Sequence, residues 1–210
     1  MANSGINPHH HRLYLASRSP RRRELLTQIG VQFDTLFFRA PPREDHQVDE
    51  TPHAGEAPVD YVQRVARAKA EFGVALVRER KLPMQLVLSA DTTLEFEGRI
   101  IGKPADADEA RAILRQLSGR THRVLTAVAV AREAQIESVL SISAVSFGTI
   151  DPADIRRYVM SGEPLDKAGA YGIQGYAGLF VERLEGSYTG VMGLPLYETG
   201  VLLRKSGFPL

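Results

Sequence analysis

Apolar and polar residues in the first part of the chain follow a strand, helix, strand pattern. Residues 13–16 form a short apolar run, which predicts a buried first strand. A helix is expected directly after it, because Ser19 suits an N-cap and Pro20 is favoured at the first helical position. Gly30 is a stop signal for that helix. Weak alternation over residues 31–38 predicts a second strand.

The next part of the chain combines a polar segment, a helix and a hairpin. Residues 41–58 are polar, acidic and rich in Pro and Gly, which indicates a long surface loop. Apolar residues recur at helical spacing over residues 59–78 and predict an amphipathic helix, with Lys69 inside its apolar stripe. Residues 86–96 alternate as in a strand, and Glu97-Gly98 predicts a hairpin turn after it.

The second half of the chain mixes helix signals with hairpin signals. Asp106 and Glu109 have the spacing of a capping box, and they predict a helix that ends near Gly119. Residues 124–131 and 136–147 are β-rich and predict an antiparallel hairpin. We also expect a helix capped by Asp151 and ending at Gly162, a strand at 176–184 and a closing helix at 195–205. Crossovers and hairpins in one chain predict an α/β fold with a mixed sheet and flanking helices.

The domain organisation follows from the lack of any long repeat or low-complexity linker. We expect a single domain with a cleft over residues 13–207, preceded by a flexible leader at 1–12. Glycines at every third position from Gly169 to Gly178 predict tight turns and close approach of the backbone to another segment or a ligand.

Composition excludes several classes of protein. The 210 residues contain 26 Lys and Arg against 25 Asp and Glu, a net charge of +1. This balance argues against a general nucleic-acid or membrane-surface binder. The absence of cysteine excludes a disulfide scaffold, cysteine-ligated zinc, iron–sulfur clusters and thiol nucleophiles. Without an apolar run of about 18 residues or a secretion signal, we expect a cytoplasmic protein.

The strongest candidate for chemistry is the junction between the first strand and the first helix. Ser17 and Ser19 lead into a helix whose first turn carries Arg21, Arg22 and Arg23. Free N–H groups and the dipole at such an end attract anions, and three guanidinium groups oppose the dipole until an anion binds. Two interpretations are open from these residues alone: a phosphate site, or arginines paired with carboxylates on the surface. The segment matches neither a P-loop nor a dinucleotide-binding fingerprint.

The remaining candidates are one aspartate and a few charged neighbours. Asp91 can bind a divalent metal or accept a proton from water, and a turn or capping aspartate is equally open. Glu95 shares its predicted face, although a solvent-facing hairpin edge also explains it. Lys69 must either snorkel to the surface or meet a counter-charge. Lys103 and Lys167 lie in turn-rich segments that suit a functional lysine without requiring one.

Several motifs, in consistent order, resemble the Maf family of nucleoside triphosphate pyrophosphatases, formerly described as septum-formation inhibitors. The resemblance runs from about residue 13 to residue 203, and its motifs are Ser17-x-Ser19-Pro20-Arg21-Arg22, Val48-Asp49-Glu50, Ser89-Ala90-Asp91-Thr92, Gly102-Lys103-Pro104, Ser118-Gly119 and Asp166-Lys167-Ala168-Gly169-x-x-Gly172-Ile173-Gln174-Gly175. The resemblance implies a two-lobed α/β fold around a central cleft. It also implies a divalent metal, Mg²⁺ or Mn²⁺, a homodimer, and hydrolysis of a nucleoside triphosphate to the monophosphate and pyrophosphate.

The resemblance also implies roles for individual residues. Asp91 is similar to the catalytic acidic residue that accepts a proton from the attacking water and helps to hold the metal, and Glu50 to its acidic partner at the metal. The residues implied in phosphate binding are Ser17, Ser19, Arg22, Lys69 and Lys103.

Base selectivity is implied at three positions. Arg21, Thr92 and Gln174 resemble the branch of the family that acts on dTTP and UTP. Two features depart from the family pattern: Arg18 replaces a usually small residue, and the loop at 38–47 is longer. Two alternatives stay open, a pyrophosphatase for 7-methyl-GTP or another modified nucleotide, and a non-enzymatic regulator of cell division.

Overall fold

A computed structural model describes residues 11–36 and 48–210. Within these residues seven strands form one sheet. The strands are β1 (Leu13–Leu15), β2 (Phe33–Thr35), β3 (Val87–Phe96), β4 (Arg99–Ile101), β5 (Thr121–Arg132), β6 (Gln135–Phe147) and β7 (Val181–Glu185). Their order is β2-β1-β3-β5-β6-β7, with β4 paired to β3 outside this path. β1 runs parallel to β2 and β3, and the other pairs are antiparallel, so the predicted mixed sheet is confirmed.

The flanking helices are also confirmed. They are α1 (Pro20–Gln28), α2 (Pro58–Glu79), α3 (Ala107–Leu117), α4 (Pro152–Met160), α5 (Tyr188–Met192) and α6 (Leu196–Lys205). At the start of α3, Asp106 Oδ1 accepts a hydrogen bond from the backbone N–H of Glu109, 2.8 Å away, and Glu109 Oε2 accepts one from the backbone N–H of Ala105. This helix therefore begins with a side-chain cap at the position that its sequence indicates.

The strand predicted at 176–184 is wrong in its first half. Residues Tyr176–Phe180 form a 3₁₀ turn, and β7 begins only at Val181. The reason is aromatic packing: Tyr176 stacks on Tyr158 of α4 with ring centroids 5.9 Å apart, and Phe180 meets both rings edge-on. Burial against α4 therefore overrides the β propensity of these aromatic residues. The short helix α5 was not predicted.

β3 is central to the fold and is covered on both faces. Apolar residues of α2 pack on one face of the sheet, and residues of α1 and α6 pack on the other. Gly73 lets α2 approach closely, because a Cβ atom there would lie 2.6 Å from Val87 Cγ1. Nine of the ten β3 residues are buried, the exception being the half-buried Thr92. Polar side chains on this strand consequently need partners inside the molecule.

The two edge strands of the sheet, β2 and β7, differ in length and charge. β2 contains only three residues, whereas the five residues of β7 include the exposed side chains of Glu182, Arg183 and Glu185. Residues 1–10 of the leader predicted at 1–12, and the whole of the longer loop at 38–47, lie outside the described residues. In the part of the chain that the structure describes, no helix has the length and apolar character needed to cross a bilayer.

Candidate active site

A cleft of about 1000 Å³ opens where β1 meets α1, beside β3. The loop that follows residue 48 and the segment around residues 166–174 form its other walls. All the predicted site residues line it: Ser17, Ser19, Arg21, Arg22, Glu50, Lys69, Asp91, Thr92, Lys103 and Gln174. Residues that are far apart in sequence therefore meet in one place.

Lys69 of α2 bridges the two carboxylates of the cleft. Its Nζ atom lies 2.8 Å from Asp91 Oδ1 and 2.9 Å from Glu50 Oε1. The Lys69 and Asp91 side chains are 15% and 9% exposed, whereas Glu50 is 54% exposed. Lys69 therefore meets a counter-charge and does not snorkel to the surface, which was the other outcome open for it. Asp91 lies within β3 rather than in a turn or at a helix cap.

Glu95 does not join this cluster. Its carboxylate pairs with Arg123 on the neighbouring strand and accepts a hydrogen bond from the backbone N–H of Gly98, 3.1 Å away. The side chain thus stabilises the β3–β4 hairpin, but it is buried, so the expected solvent-facing position is wrong.

Glu50 is held in place by residues of α2 that the sequence analysis did not single out. The Tyr61 hydroxyl donates to the Glu50 carbonyl oxygen at 3.0 Å, and Arg64 donates to the Thr51 carbonyl oxygen at 3.0 Å. Arg64 also forms a two-pronged pair with Glu56, at 2.6 and 2.8 Å. The available signal was the i, i+3 spacing of Tyr61 and Arg64, which places them side by side on one helix surface.

Burial, together with the nearby carboxylates of Asp91 and Glu50, raises the pKa of Tyr61 to about 12. The hydroxyl consequently stays protonated and keeps donating to the Glu50 carbonyl oxygen over the physiological pH range. The hydrogen bond from Arg64 is the main reason that the pKa of Glu56 falls to about 2. Glu56 is therefore ionised at neutral pH and holds Arg64 against the loop.

Arg22 turns into the cleft instead of spreading over the surface. Its guanidinium donates to the Gly193 carbonyl oxygen at 2.8 Å, to Ser17 Oγ at 3.2 Å and to Thr92 Oγ1 at 3.2 Å. Loss of solvent lowers the pKa of Arg22, and the charges of the cleft carboxylates oppose that shift. An arginine keeps its charge at neutral pH even so. For Arg22 the surface-cluster interpretation is wrong.

A chain of hydroxyl groups continues inward from Arg22. Thr92 Oγ1 lies 3.0 Å from Thr126 Oγ1, which donates to the Gly190 carbonyl oxygen at 2.8 Å. Because Thr126 uses its proton on Gly190, Thr92 donates to Thr126 and accepts from Arg22. Thr92 is therefore fully engaged with protein groups on the floor of the cleft.

The opposite wall of the cleft carries Gln174 and Asp166, the carboxylate that faces Arg21. Arg21 lies 4.0 Å from Asp166 Oδ2, and Asp166 Oδ1 lies 2.6 Å from Lys167 Nζ. Burial opposes ionisation of Asp166, but the hydrogen bond from Lys167 and the charges of both cations leave its pKa below the usual value. Gln174 is exposed on this wall. Lys103 and Arg18 are likewise exposed where they line the cleft.

The glycines of this wall have the close contacts that their spacing predicts. Gly169 has a φ of +72°, and a Cβ atom there would clash with the Leu94 side chain of β3. A Cβ atom at Gly175 would meet the Glu163 carboxylate. The wall therefore packs closely against β3 and against its own preceding turn, and the positive φ at Gly169 favours glycine there.

A histidine lies buried behind the same wall. His122 of β5 is 2% exposed, and its Nε2 atom lies 2.8 Å from the hydroxyl of Tyr171, which lines the cleft. Nδ1 of His122 is buried and has no hydrogen-bond partner among residues 11–36 and 48–210. Burial lowers the pKa of His122 to about 4, so the ring is neutral at pH 7.

The donor set of the cleft fits a hard divalent cation. Glu50 and Asp91 direct one oxygen each to the same cationic atom, Lys69 Nζ, at 2.8 to 2.9 Å. Carboxylate oxygens are preferred ligands of Mg²⁺, which is commonly held by one or two carboxylates together with substrate phosphates. Among the described residues no group of three or more His, Cys, Asp or Glu side chains is placed to hold a metal. Two carboxylates thus match a site that a substrate completes.

The sequence of this chain is similar to those of known proteins. A family model described as Maf-like protein matches residues 12–206. The chain is 68% identical to the dTTP/UTP pyrophosphatase of Dechloromonas aromatica, over 94% of this chain and 98% of that protein. It is 61% identical to the dTTP/UTP pyrophosphatase of Aromatoleum aromaticum, over 98% of this chain and all of that protein.

The fold is also similar to that of a solved structure. The Ham1 protein of Staphylococcus aureus superimposes with a TM-score of 0.52 at 13% identity, over 93% of this chain and 99% of that one. At this identity the similarity concerns the fold alone. The family match over nearly the whole length, with the sequence motifs gathered in one cleft, leads to one conclusion: the chain belongs to the Maf-like protein family.

Proposed function

We propose that this protein hydrolyses nucleoside triphosphates, dTTP and UTP above all, to the nucleoside monophosphate and pyrophosphate. The observation that carries the proposal is the meeting of Asp91 with Glu50, Lys69 and Arg22 in one cleft. The names of the 68% and 61% identical relatives support the same substrates.

The triphosphate would bind at the start of α1. The free backbone N–H groups at the start of this helix can donate hydrogen bonds to an anion, and Ser17 and Ser19 lie beside them. Ser17 Oγ accepts hydrogen bonds from the Ser19 N–H and from Arg22, so its own proton is free to donate to a phosphate oxygen. Lys69 and Lys103 bring two further positive charges to the cleft.

Asp91 would act as the base. Its buried carboxylate is fixed by its place in the middle of β3, so one oxygen can hold a cation while the other orients and deprotonates a water molecule. Glu50 and Asp91 would hold a divalent cation, Mg²⁺ or Mn²⁺. When bound, such a cation neutralises negative charge that develops on the α-phosphate and on the pyrophosphate leaving group. Arg22 and Lys69 contribute positive charge to the same region.

Base selectivity would come from the open side of the cleft. Arg21 and Gln174 lie on opposite walls with side chains that can reach a base edge. Thr92 would act through Arg22, because its hydroxyl is already engaged with Arg22 and Thr126. Hydrogen-bonding groups fixed at two sides of a base discriminate by leaving polar groups unpaired with the wrong nucleotide.

Replacement of Asp91 tests the catalytic assignment. D91N keeps the size of the side chain and removes the base, so release of pyrophosphate from UTP with Mg²⁺ should fall by roughly 100-fold or more. The matched control is D108N, the same change at an exposed aspartate of α3 outside the cleft. Near wild-type turnover by D91N would refute the role of Asp91.

A nucleotide panel tests the substrate class. UTP, dTTP, 7-methyl-GTP and an unmodified purine triphosphate are compared with Mg²⁺ or Mn²⁺, beside an EDTA control. A preference for 7-methyl-GTP would move the protein to the alternative branch. Failure to hydrolyse any nucleotide would favour a non-enzymatic regulator of cell division.

We further propose a cytoplasmic homodimer whose partner molecules are nucleotides, with no stable nucleic-acid or membrane partner. The family resemblance supports the dimer, and the near-zero net charge supports the absence of a polyanion partner. Sedimentation equilibrium at several concentrations measures the association state directly.

A further inference from the structure

The ammonium group of Lys69 lies in the position where the proposed function requires a divalent cation. It contacts Glu50 Oε1 at 2.9 Å and Asp91 Oδ1 at 2.8 Å, and its side chain is only 15% exposed. We propose that Lys69 is an internal cation that keeps the divalent metal out of the free protein and yields the site when a triphosphate binds. This inference rests on the proposed function, and it adds an order of binding to it.

The charges of the free cleft explain the exclusion. Lys69 and Arg22 carry two positive charges, and Glu50 and Asp91 carry two negative ones, so the four groups are balanced. A divalent cation that enters between the carboxylates must displace two charge-assisted hydrogen bonds and approach a resident ammonium. The free site therefore offers little net attraction to a metal.

A triphosphate changes this balance. It brings several negative charges into the cleft and gives Lys69 new acceptors, which its flexible four-carbon stem can reach by rotation. As the ammonium turns to the phosphate oxygens, Glu50 and Asp91 lose their counter-charge. The carboxylates and the phosphates together then form an oxygen-rich site of net negative charge, which suits Mg²⁺ or Mn²⁺.

Asp91 and the backbone of Glu50 are anchored independently of Lys69. Tyr61 holds the Glu50 backbone by a 3.0 Å hydrogen bond, and Arg64 holds the adjacent Thr51. Asp91 is fixed by its place in the middle of the buried strand β3. Departure of the ammonium would thus leave Asp91 in place, and the half-exposed Glu50 side chain could turn from its fixed backbone toward a metal.

Binding of Mn²⁺ to the free protein, measured from the electron paramagnetic resonance signal of unbound Mn²⁺, tests the proposal without catalysis. Without nucleotide, K69M should bind Mn²⁺ more tightly than the wild type by roughly 5- to 150-fold, the usual range for coupling between two ligands. The matched control K81M removes an exposed lysine just after α2, outside the cleft, and should bind Mn²⁺ like the wild type.

A non-hydrolysable UTP analogue with a methylene bridge between the α- and β-phosphates supplies the second arm. In the wild type the analogue should tighten Mn²⁺ binding strongly, and in K69M it should do so less, because the free site is already available. Adding D91N to K69M should remove the gain in Mn²⁺ affinity.

The proposal is overturned if folded K69M and the polar variant K69Q, both checked by thermal melting, bind Mn²⁺ no more tightly than the wild type. Retention of the gain after D91N is added would also overturn it, because the metal would then lie elsewhere. Failure of the proposed function appears in a different measurement, as absence of UTP hydrolysis by the wild-type protein with Mg²⁺.

Discussion

Arg22 of α1 donates a hydrogen bond to Thr92 of β3, 3.2 Å away, across the floor of the cleft. The resemblance implies different roles for these two residues, phosphate binding for the first and base selectivity for the second. The contact couples base selectivity to phosphate binding, because a change at Thr92 alters the position of the Arg22 guanidinium. Through Thr126 and Gly190 the same contact reaches the short helix α5.

R22K tests this shared role. A lysine keeps the charge but cannot serve the Gly193 carbonyl oxygen, Ser17 and Thr92 together from one guanidinium fork. Loss of hydrogen bonds to a charged group costs about 1.5 to 3 kcal/mol, so kcat/KM for UTP should fall by roughly 10- to 150-fold. The same change at the neighbouring Arg23, which does not line the cleft, should alter it by no more than about twofold.

Two glycines allow a matched test of close packing in the wall. Gly169 and Gly162 have φ values of +72° and +75°, so alanine is strained at both. At Gly169 the new methyl group would meet Leu94, whereas no residue that the structure describes would lie within 4 Å of it at Gly162. G162A should cost about 1 to 2 kcal/mol of unfolding free energy, and G169A should cost more, by roughly 1 to 3 kcal/mol from overpacking. Equal destabilisation in urea titrations would contradict the described packing.

His122 should make the protein sensitive to mild acid. Its pKa is about 4 in the folded protein and 6.5 ordinarily, so the unfolded chain takes up the proton first as the pH falls. The folded state is then destabilised between pH 6.5 and pH 4, by roughly 2 to 4 kcal/mol in total. In H122Q, which keeps a polar partner for Tyr171, this part of the acid sensitivity should disappear. Urea titrations of both proteins at several pH values measure the difference, and parallel curves would contradict it.

Glu56 is a second group whose lowered pKa makes the stability of the fold depend on pH. Its pKa of about 2 in the folded protein lies below the ordinary 4.5. The pair with Arg64 therefore stabilises the fold fully above about pH 4.5, and that contribution is lost as the pH falls toward 2. The advantage of the wild type over E56Q in thermal melting should shrink over this window. An advantage that stays constant down to pH 3 would show that Glu56 does not hold a depressed pKa.

Much of the fold could be predicted because local signals agree with tertiary contacts. Ser19 and Pro20 mark the start of α1, and the capping pair at Asp106 marks α3. The turn at Glu97 and Gly98, both with positive φ, marks the β3–β4 hairpin. Residues 176–180 are the contrast, because packing of Tyr176 and Phe180 on α4 decides their conformation and no local signal reports it.

The site was predictable as a set of residues but not as a set of contacts. Spacing placed Lys69 in an apolar stripe and left its partner open, and only the fold brings Glu50 and Asp91 to it. The anchoring role of Arg64 depends on a loop that folds back on α2, so the sequence offers little to indicate it. Inward rotation of Arg22 likewise depends on two distant acceptors, Thr92 and Gly193, which lie 70 and 171 positions away in the sequence.

The charged outer strand β7 has a consequence for how copies of this chain can associate. An edge strand offers unpaired backbone groups to any neighbour, and charged side chains along it discourage such pairing. Glu182, Arg183 and Glu185 therefore protect this edge against sheet extension between molecules and against aggregation that starts there. We expect a homodimer to form through side-chain surfaces, which leaves the continuous sheet confined to one molecule.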